Sequence, residues 1–116
     1  DDVYKLVDTI RGLKNIGISI CLDNFNISER SVVMPVVSII NVEYVNVHKK
    51  SLVKAMNEKR YKIVLEHIIN LLLDLGVIPI FVSIDSEAEV EFVKNISERC
   101  LIRGYIYSLE ELKKNK

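Results

Sequence analysis

The chain has 116 residues, enough for one domain around a single core. Sixteen Lys and Arg against sixteen Asp and Glu leave a formal net charge of zero, so bulk charge favours neither nucleic acid nor an anionic membrane. Apolar residues make up 49% of the chain, with a mean hydropathy of +0.20. The longest apolar runs, 32–42 and 63–75, are nonetheless interrupted by polar residues and fall short of the ~20 that span a bilayer. No basic-then-apolar leader opens the sequence, and two cysteines, Cys21 and Cys100, are too few for a disulfide scaffold. A cytoplasmic location, with its reducing conditions, is expected.

Val3, Leu6, Val7, Ile10 and Leu13 recur at three- and four-residue spacing, which predicts an amphipathic helix ended by residues 15–17. Residues 18–22 predict a strand buried on both faces, ending in Asp23, Asn24 and Phe25. Parallel α/β proteins place their chemistry at the C-terminal ends of such strands, so Asp23 and Asn24 are the first candidates. Residues 24–31 read as a polar loop, and 31–40 as a short helix that Pro35 breaks or kinks.

Residues 42–47 predict a second strand, dense in β-branched and aromatic side chains, with His48, Lys49 and Lys50 at its exit. Ser51 is expected to cap a short helix through Met56. The next helix carries the clearest pattern: Tyr61, Val64, Leu65, Ile68, Leu71, Leu72 and Leu75 form one stripe, and Gly76 stops it. Residues 77–84 predict a third strand, with Pro79 near its start. Ser86 and Glu89 then form a capping box for a helix to about Ser97. A fourth strand over 101–107 and a helical turn over 109–114 complete the series. Strands alternate with helices and no linker or repeat divides the chain, so 1–116 is expected to be one α/β domain with about four parallel strands.

Four landmarks, in order, resemble the C-terminal half of the EAL domain, the cyclic di-GMP phosphodiesterase family, which folds as a TIM-like barrel. Cys21-Leu22-Asp23-Asn24-Phe25-Asn26 resembles its Ala-Leu-Asp-Asp-Phe-Gly, and Glu43-Tyr44-Val45-Asn46-Val47-His48 its Asp-Tyr-Leu-Lys-Ile-Asp. The segment 76–86 resembles its Gly-x-x-x-Ile-Ala-Glu-Gly-Val-Glu-Thr, and Arg103-Gly104-Tyr105-Ile106-Tyr107-Ser108 its Gln-Gly-Tyr-x-x-Ser. The resemblance covers nearly the whole chain but only about the second half of the family's domain. It implies a partial TIM-like (βα) barrel, half of an EAL barrel.

The departures fall on the family's working residues. Of its paired metal-binding aspartates only Asp23 remains, followed by Asn24. Its lysine is Asn46, the aspartate after it His48, its metal-binding glutamate Val82, and its last-strand glutamine Arg103. The glutamate that braces the family's active-site loop is shortened to Asp85, and the glutamine on the next helix is Glu89. Two-metal phosphodiester hydrolysis needs a carboxylate-rich mouth, because hard ions such as Mg²⁺ want about six oxygen ligands. Asp23 beside a neutral amide and opposite a valine does not build one. No catalytic residue, no metal site and no cofactor is therefore expected, the family's Mg or Mn included.

As weak ligand candidates, by position, stand Asp23, Asn24, Asn46, His48, Asp85 and Arg103. Each has a plainer alternative. Asp23 caps its loop or holds a lone cation; His48 is structural or a base; Arg103 meets a phosphate, or pairs with Asp85 or Glu89. Cys21 reads as a small buried hydrophobe, Cys100 as an inert thiol despite Arg99 and Arg103, and Lys49-Lys50 as solvated.

The expected function is a non-catalytic EAL-like regulatory or protein-interaction domain in bacterial cyclic di-GMP signalling. A cyclic di-GMP receptor that binds without hydrolysis is the alternative, and a phosphodiesterase completed by another chain a third reading. A homodimer is expected as well, because half a barrel leaves two strand edges and an inner face, assigned to Ile20, Leu22, Val45, Val47, Ile80 and Val82. The strand over 18–22 of one copy would pair with that over 101–107 of the other; packing through helix faces is the fallback. An upstream signalling domain or a protein partner is the remaining expectation.

Overall fold

The computed structural model describes residues 2–25 and 31–104. The turn expected over 109–114, the far part of the strand expected over 101–107, and most of the loop over 24–31 lie outside them. In chain order the elements are α1 (Asp2–Asn15), β1 (Cys21–Phe25), α2 (Val33–Val37), β2 (Tyr44–Val47), α3 (Lys49–Asn57), α4 (Lys59–Asp74), β3 (Ile78–Phe81), α5 (Glu87–Ile96) and β4 (Leu101–Ile102). The strands form one sheet in the order β1-β2-β3-β4, every pair parallel. This is the α/β arrangement that the alternation implies: each strand returns through a helix to lie beside its predecessor.

Several boundaries differ from the sequence reading, each for a local reason. The first strand begins at Cys21 rather than at residue 18. Ile18 is used to close α1, its N–H donating to Leu13 O at 3.1 Å, and the ladder to β2 opens only where Ile20 O accepts from Glu43 and Tyr44. Asp23 and Asn24 consequently lie within β1, not beyond it. His48, not Ser51, caps α3: its Nδ1 accepts from Lys50 N at 3.0 Å, while Ser51 is buried and receives the Tyr61 hydroxyl.

Pro35 breaks nothing, because it falls in the first turn of α2, where its missing N–H has no helical partner to lose. Pro79 is tolerated inside β3 for a related reason. Ile78 and Val82 donate toward β2, so the nitrogen of Pro79 faces the opposite edge, where β4 pairs only from Ile80 onward. At the end of α4, Gly76 takes a φ of 81° and the paired bonds Gly76 N to Leu73 O and Val77 N to Leu72 O close a Schellman turn.

The stripe expected on α4 is displaced around the helix. Leu65, Ile69, Leu72 and Leu73 are buried, whereas Val64, Leu71 and Leu75 are exposed. The sequence offers two apolar flanks about a third of a turn apart, and the sheet takes one of them.

The sheet has two unlike faces, because side chains alternate along a strand. Val45, Val47 and Phe81 point to the helix side and are fully buried against Leu52, Leu65 and Ile69. Their neighbours Tyr44, Asn46, Ile78, Ile80 and Val82, with Cys21, Asp23, Leu101 and Arg103 at the matching register, point to the other side. Leu22, Val45 and Val47, expected on the inner face, therefore belong to the opposite, helix-packed one. The molecule measures 42 × 39 × 21 Å. Its thin dimension matches one sheet plus one helix layer, at about 10 Å each. Among the described residues one face of the sheet is packed and the other is open.

Candidate functional site

All strands run the same way, so the loops after β1, β2, β3 and β4 gather at one end of the sheet. Asp23, Asn46, His48, Asp85 and Arg103 all lie at this end. Asn24 does too, though its side chain lies outside the described residues.

Asp23 and Asn46 sit on the open face of adjacent strands, and Asn46 Nδ2 donates to Asp23 Oδ1 at 3.1 Å. An amide that donates to a carboxylate has a fixed orientation, which turns Asn46 Oδ1 the other way. That oxygen is buried and has no hydrogen-bond partner among the described residues. A buried acceptor left unpaired costs on the order of 1–3 kcal/mol, so this atom is a place for a donor from water or from a ligand.

Cys21, two residues before Asp23, shares this face and is exposed, not buried as the sequence suggested. Desolvation by the surrounding sheet pushes its thiol above the ordinary value, Asp23 adds to the rise, and the Arg103 guanidinium opposes it. By the register of β3 and β4, Arg103 follows Leu101 on this same face. It does not meet Asp85 or Glu89, as one sequence alternative held. Cys100 is buried on the helix side, where desolvation raises its thiol to about 11 despite Arg99. Both features fit the inert thiol that the sequence reading expects.

Asp85 and Glu89 belong to a different constellation, centred on Lys49. Lys49 Nζ lies 2.6 Å from Asp85 Oδ2 and 3.6 Å from Glu89 Oε2, and donates to Ser83 O at 3.1 Å. Glu89 is buried, and its Oε1 accepts from Asp85 N at 2.9 Å while its own N–H donates to Ser86 Oγ. The Lys49 ammonium holds the Asp85 carboxyl below its ordinary value, and Asp85 in turn raises Lys49. The group fixes the loop between β3 and α5, where Ser83 adopts a φ of 62°. Lys49 is thus an ion-paired brace rather than a solvated end. Its partners lie 34 to 40 residues away in sequence, so no local signal marks it.

At the next strand crossing, Arg103 N donates to Phe81 O and Ile84 N to Arg103 O. A Cβ on Gly104 would stand 2.0 Å from Ile84 O, so only glycine lets the two chains approach. His48 spends one ring nitrogen on the α3 cap and its N–H on Phe25 O, which makes it structural in this arrangement. Among the described residues no group of three or more His, Cys, Asp or Glu side chains is placed to hold a metal ion. Nor is any described helix long and apolar enough to cross a membrane.

No protein-family model matches the chain, and no curated protein matches it. Solved structures do. The EAL enzyme Bd1971 in its cGMP-bound form superposes with a TM-score of 0.76 at 16% identity, over 91% of this chain and 27% of that one. PaMucR phosphodiesterase in complex with c-di-GMP gives 0.73 at 15%, over 89% and 40%. An EAL-domain protein from Listeria monocytogenes EGD-e gives 0.73 at 18%, over 93% and 44%. The chain spans between about a quarter and under half the length of these structures. Parallel βα units in unbroken order, one helix-packed sheet face and this superposition together give the chain the fold of an EAL-like barrel segment.

Proposed function

We propose that the chain is a non-catalytic EAL-like module of bacterial cyclic di-GMP signalling, acting through binding or contact rather than hydrolysis. The observation that carries this reading is the composition of the strand ends on the open face: Asp23 hydrogen-bonded to an amide, Val82 at the exit of β3, and Arg103 beyond β4. A carboxylate tied to Asn46, a valine and a cation do not form the acidic cradle that two-metal hydrolysis of a phosphodiester needs. With Mg²⁺ or Mn²⁺ the purified chain is expected to release no linear dinucleotide from cyclic di-GMP. Turnover above about one per minute, far below the ~1 s⁻¹ at the slow end of ordinary enzymes, would sink this reading. Asn24→Asp alone is expected to restore nothing, because Val82 stays apolar.

A receptor reading has an observation of its own. Asn46 Oδ1 is a buried acceptor without a partner among the described residues, and Arg103 lies on the same face of the sheet. An acceptor for a base N–H and a cation for a phosphate are the two elements a nucleotide ligand needs. Titration calorimetry with cyclic di-GMP, with and without Mg²⁺, separates the readings. Heat that disappears in both Asn46→Leu and Arg103→Ala supports the receptor; no heat in the intact chain leaves the protein-contact module.

A further inference from the structure

The open face of the sheet is the largest feature of the fold that the site leaves unused. It is bordered by two free parallel edges among the described residues, that of β1 and that of β4. It carries Tyr44, Ile78, Ile80, Val82 and the half-exposed Leu101, while nothing described packs on it. Free edges and an apolar sheet face are each templates for association. The two edges are also unlike in charge. Asp23 stands midway along β1, beside Asn46, and Arg103 just past the end of β4, two residues beyond the rung of Asn46, Ile80 and Leu101. Both are exposed, both are on the open face, and Arg103 stands in none of the ion pairs among the described residues.

We infer that the open face is covered by a second copy of this chain, related by a two-fold that runs along the strands above that face. Rotation about that axis preserves strand direction, so β4 of one copy continues in parallel into β1 of its partner, and the reverse happens at the second seam. Four strands and four strands make the eight of a (βα)₈ barrel, the number at which side chains just fill the interior. At each seam Arg103, beyond β4 of one copy, is brought to the side of β1 that carries Asp23 in the other, so opposite charges approach each other twice. A two-fold of this kind satisfies both edges with identical contacts and leaves none for further growth. It also gives the strand-end mouth two copies of the Asp23, Asn46 and Arg103 set. The inference is independent of whether that mouth binds a nucleotide.

Three measurements on the 116-residue chain test it. Sedimentation at micromolar concentration is expected to give a single species of twice the 13.3 kDa chain mass. Cys21 reports the face directly, since Cys100 is buried with a thiol near 11 and stays silent. Its alkylation by iodoacetamide is expected to slow by tenfold or more as protein concentration carries the chain from monomer to dimer. The seam is tested by charge exchange: Asp23→Arg and Arg103→Asp are each expected to weaken the dimer by about tenfold, and the double exchange to return it to within about threefold.

A 13.3 kDa monomer throughout, or a ladder of higher oligomers, would overturn the inference. So would a dimer in which Cys21 stays freely alkylated, because that dimer would be joined through helix faces. Dimerisation indifferent to both single charge exchanges would overturn it equally. Should a charge variant fail to fold, Cys21 protection in the unmodified chain still decides.

Discussion

Glu43 ties the end of α1 to the start of β2 with one carboxylate. Its Oε2 takes the Lys14 ammonium at 2.5 Å and its Oε1 the Ile20 N–H at 2.6 Å, just before the ladder begins. The Lys14 hydrogen bond, then the Ile20 N–H, hold its carboxyl below the usual glutamate value of about 4.3. A carboxylate lowered in the folded state stabilises fully above that unfolded value, and the contribution fades as pH falls through the folded one. Glu43→Gln is therefore expected to cost on the order of 1 kcal/mol at neutral pH, discounted for partial exposure, and to flatten the acid limb below about pH 4. Circular dichroism followed from pH 7 to 2 checks this; superimposable acid limbs would remove Glu43 as the anchor.

His48 acts at the same scale. His48→Ala is expected to cost about 1 kcal/mol in urea melts through loss of the α3 cap, and His48→Asn much less, because asparagine is itself a good cap. If alanine and asparagine prove equivalent, the ring is not the cap.

Among elements, the loop between β3 and α5 shows best what sequence alone hides. The Ser86–Glu89 pattern announces the start of α5, and Ser86 Oγ does cap Glu89 N. Yet the Glu89 carboxylate turns back to Asp85 N and toward Lys49 instead of to the cap residue itself. Lys49→Met is expected to free Asp85, so that its carboxyl rises toward the ordinary aspartate value, and to speed hydrogen exchange across residues 83–86. NMR titration of Asp85 and exchange rates measure both; an unmoved Asp85 would show that Lys49 is not its main partner.

The strand ends and helices were legible because Gly76, the Ser86 cap and the apolar periods are local signals. The burial of α4 was only half legible. Val64, Leu71 and Leu75 keep the same period as Leu65, Ile69 and Leu72, and periodicity cannot say which flank a sheet takes. The start of β1 was misplaced for a similar reason, since Ile18 and Ile20 look like strand but serve the turn that closes α1.

At the scale of the whole molecule, sequence order alone carried the parallel sheet and the EAL-like likeness, but not which strand residues face which way. In the sequence Leu22, Val45 and Val47 fit an inner face as well as Ile80 and Val82 do, and only the pairing of Cys21 with Tyr44 and Ile80 with Leu101 separates them. That separation has a consequence for engineering the chain: in the inferred dimer, folding and assembly draw on different sides of the same strands. Phe81, fully buried against the helices, should serve folding alone. Phe81→Ala is expected to cost about 3–5 kcal/mol, independent of protein concentration. Ile80, its neighbour, points to the open face, where a lysine keeps its ammonium in water as long as the chain is alone. Ile80→Lys is accordingly expected to keep the far-ultraviolet spectrum and the dilute-solution melting curve while sedimenting as a 13.3 kDa monomer. Ile20 packs against the core from just before β1, so Ile20→Lys should unfold the chain and say nothing about assembly. If Ile80→Lys unfolds the chain at every concentration as well, the open face is part of the folding core, and the division between the two faces of the sheet fails.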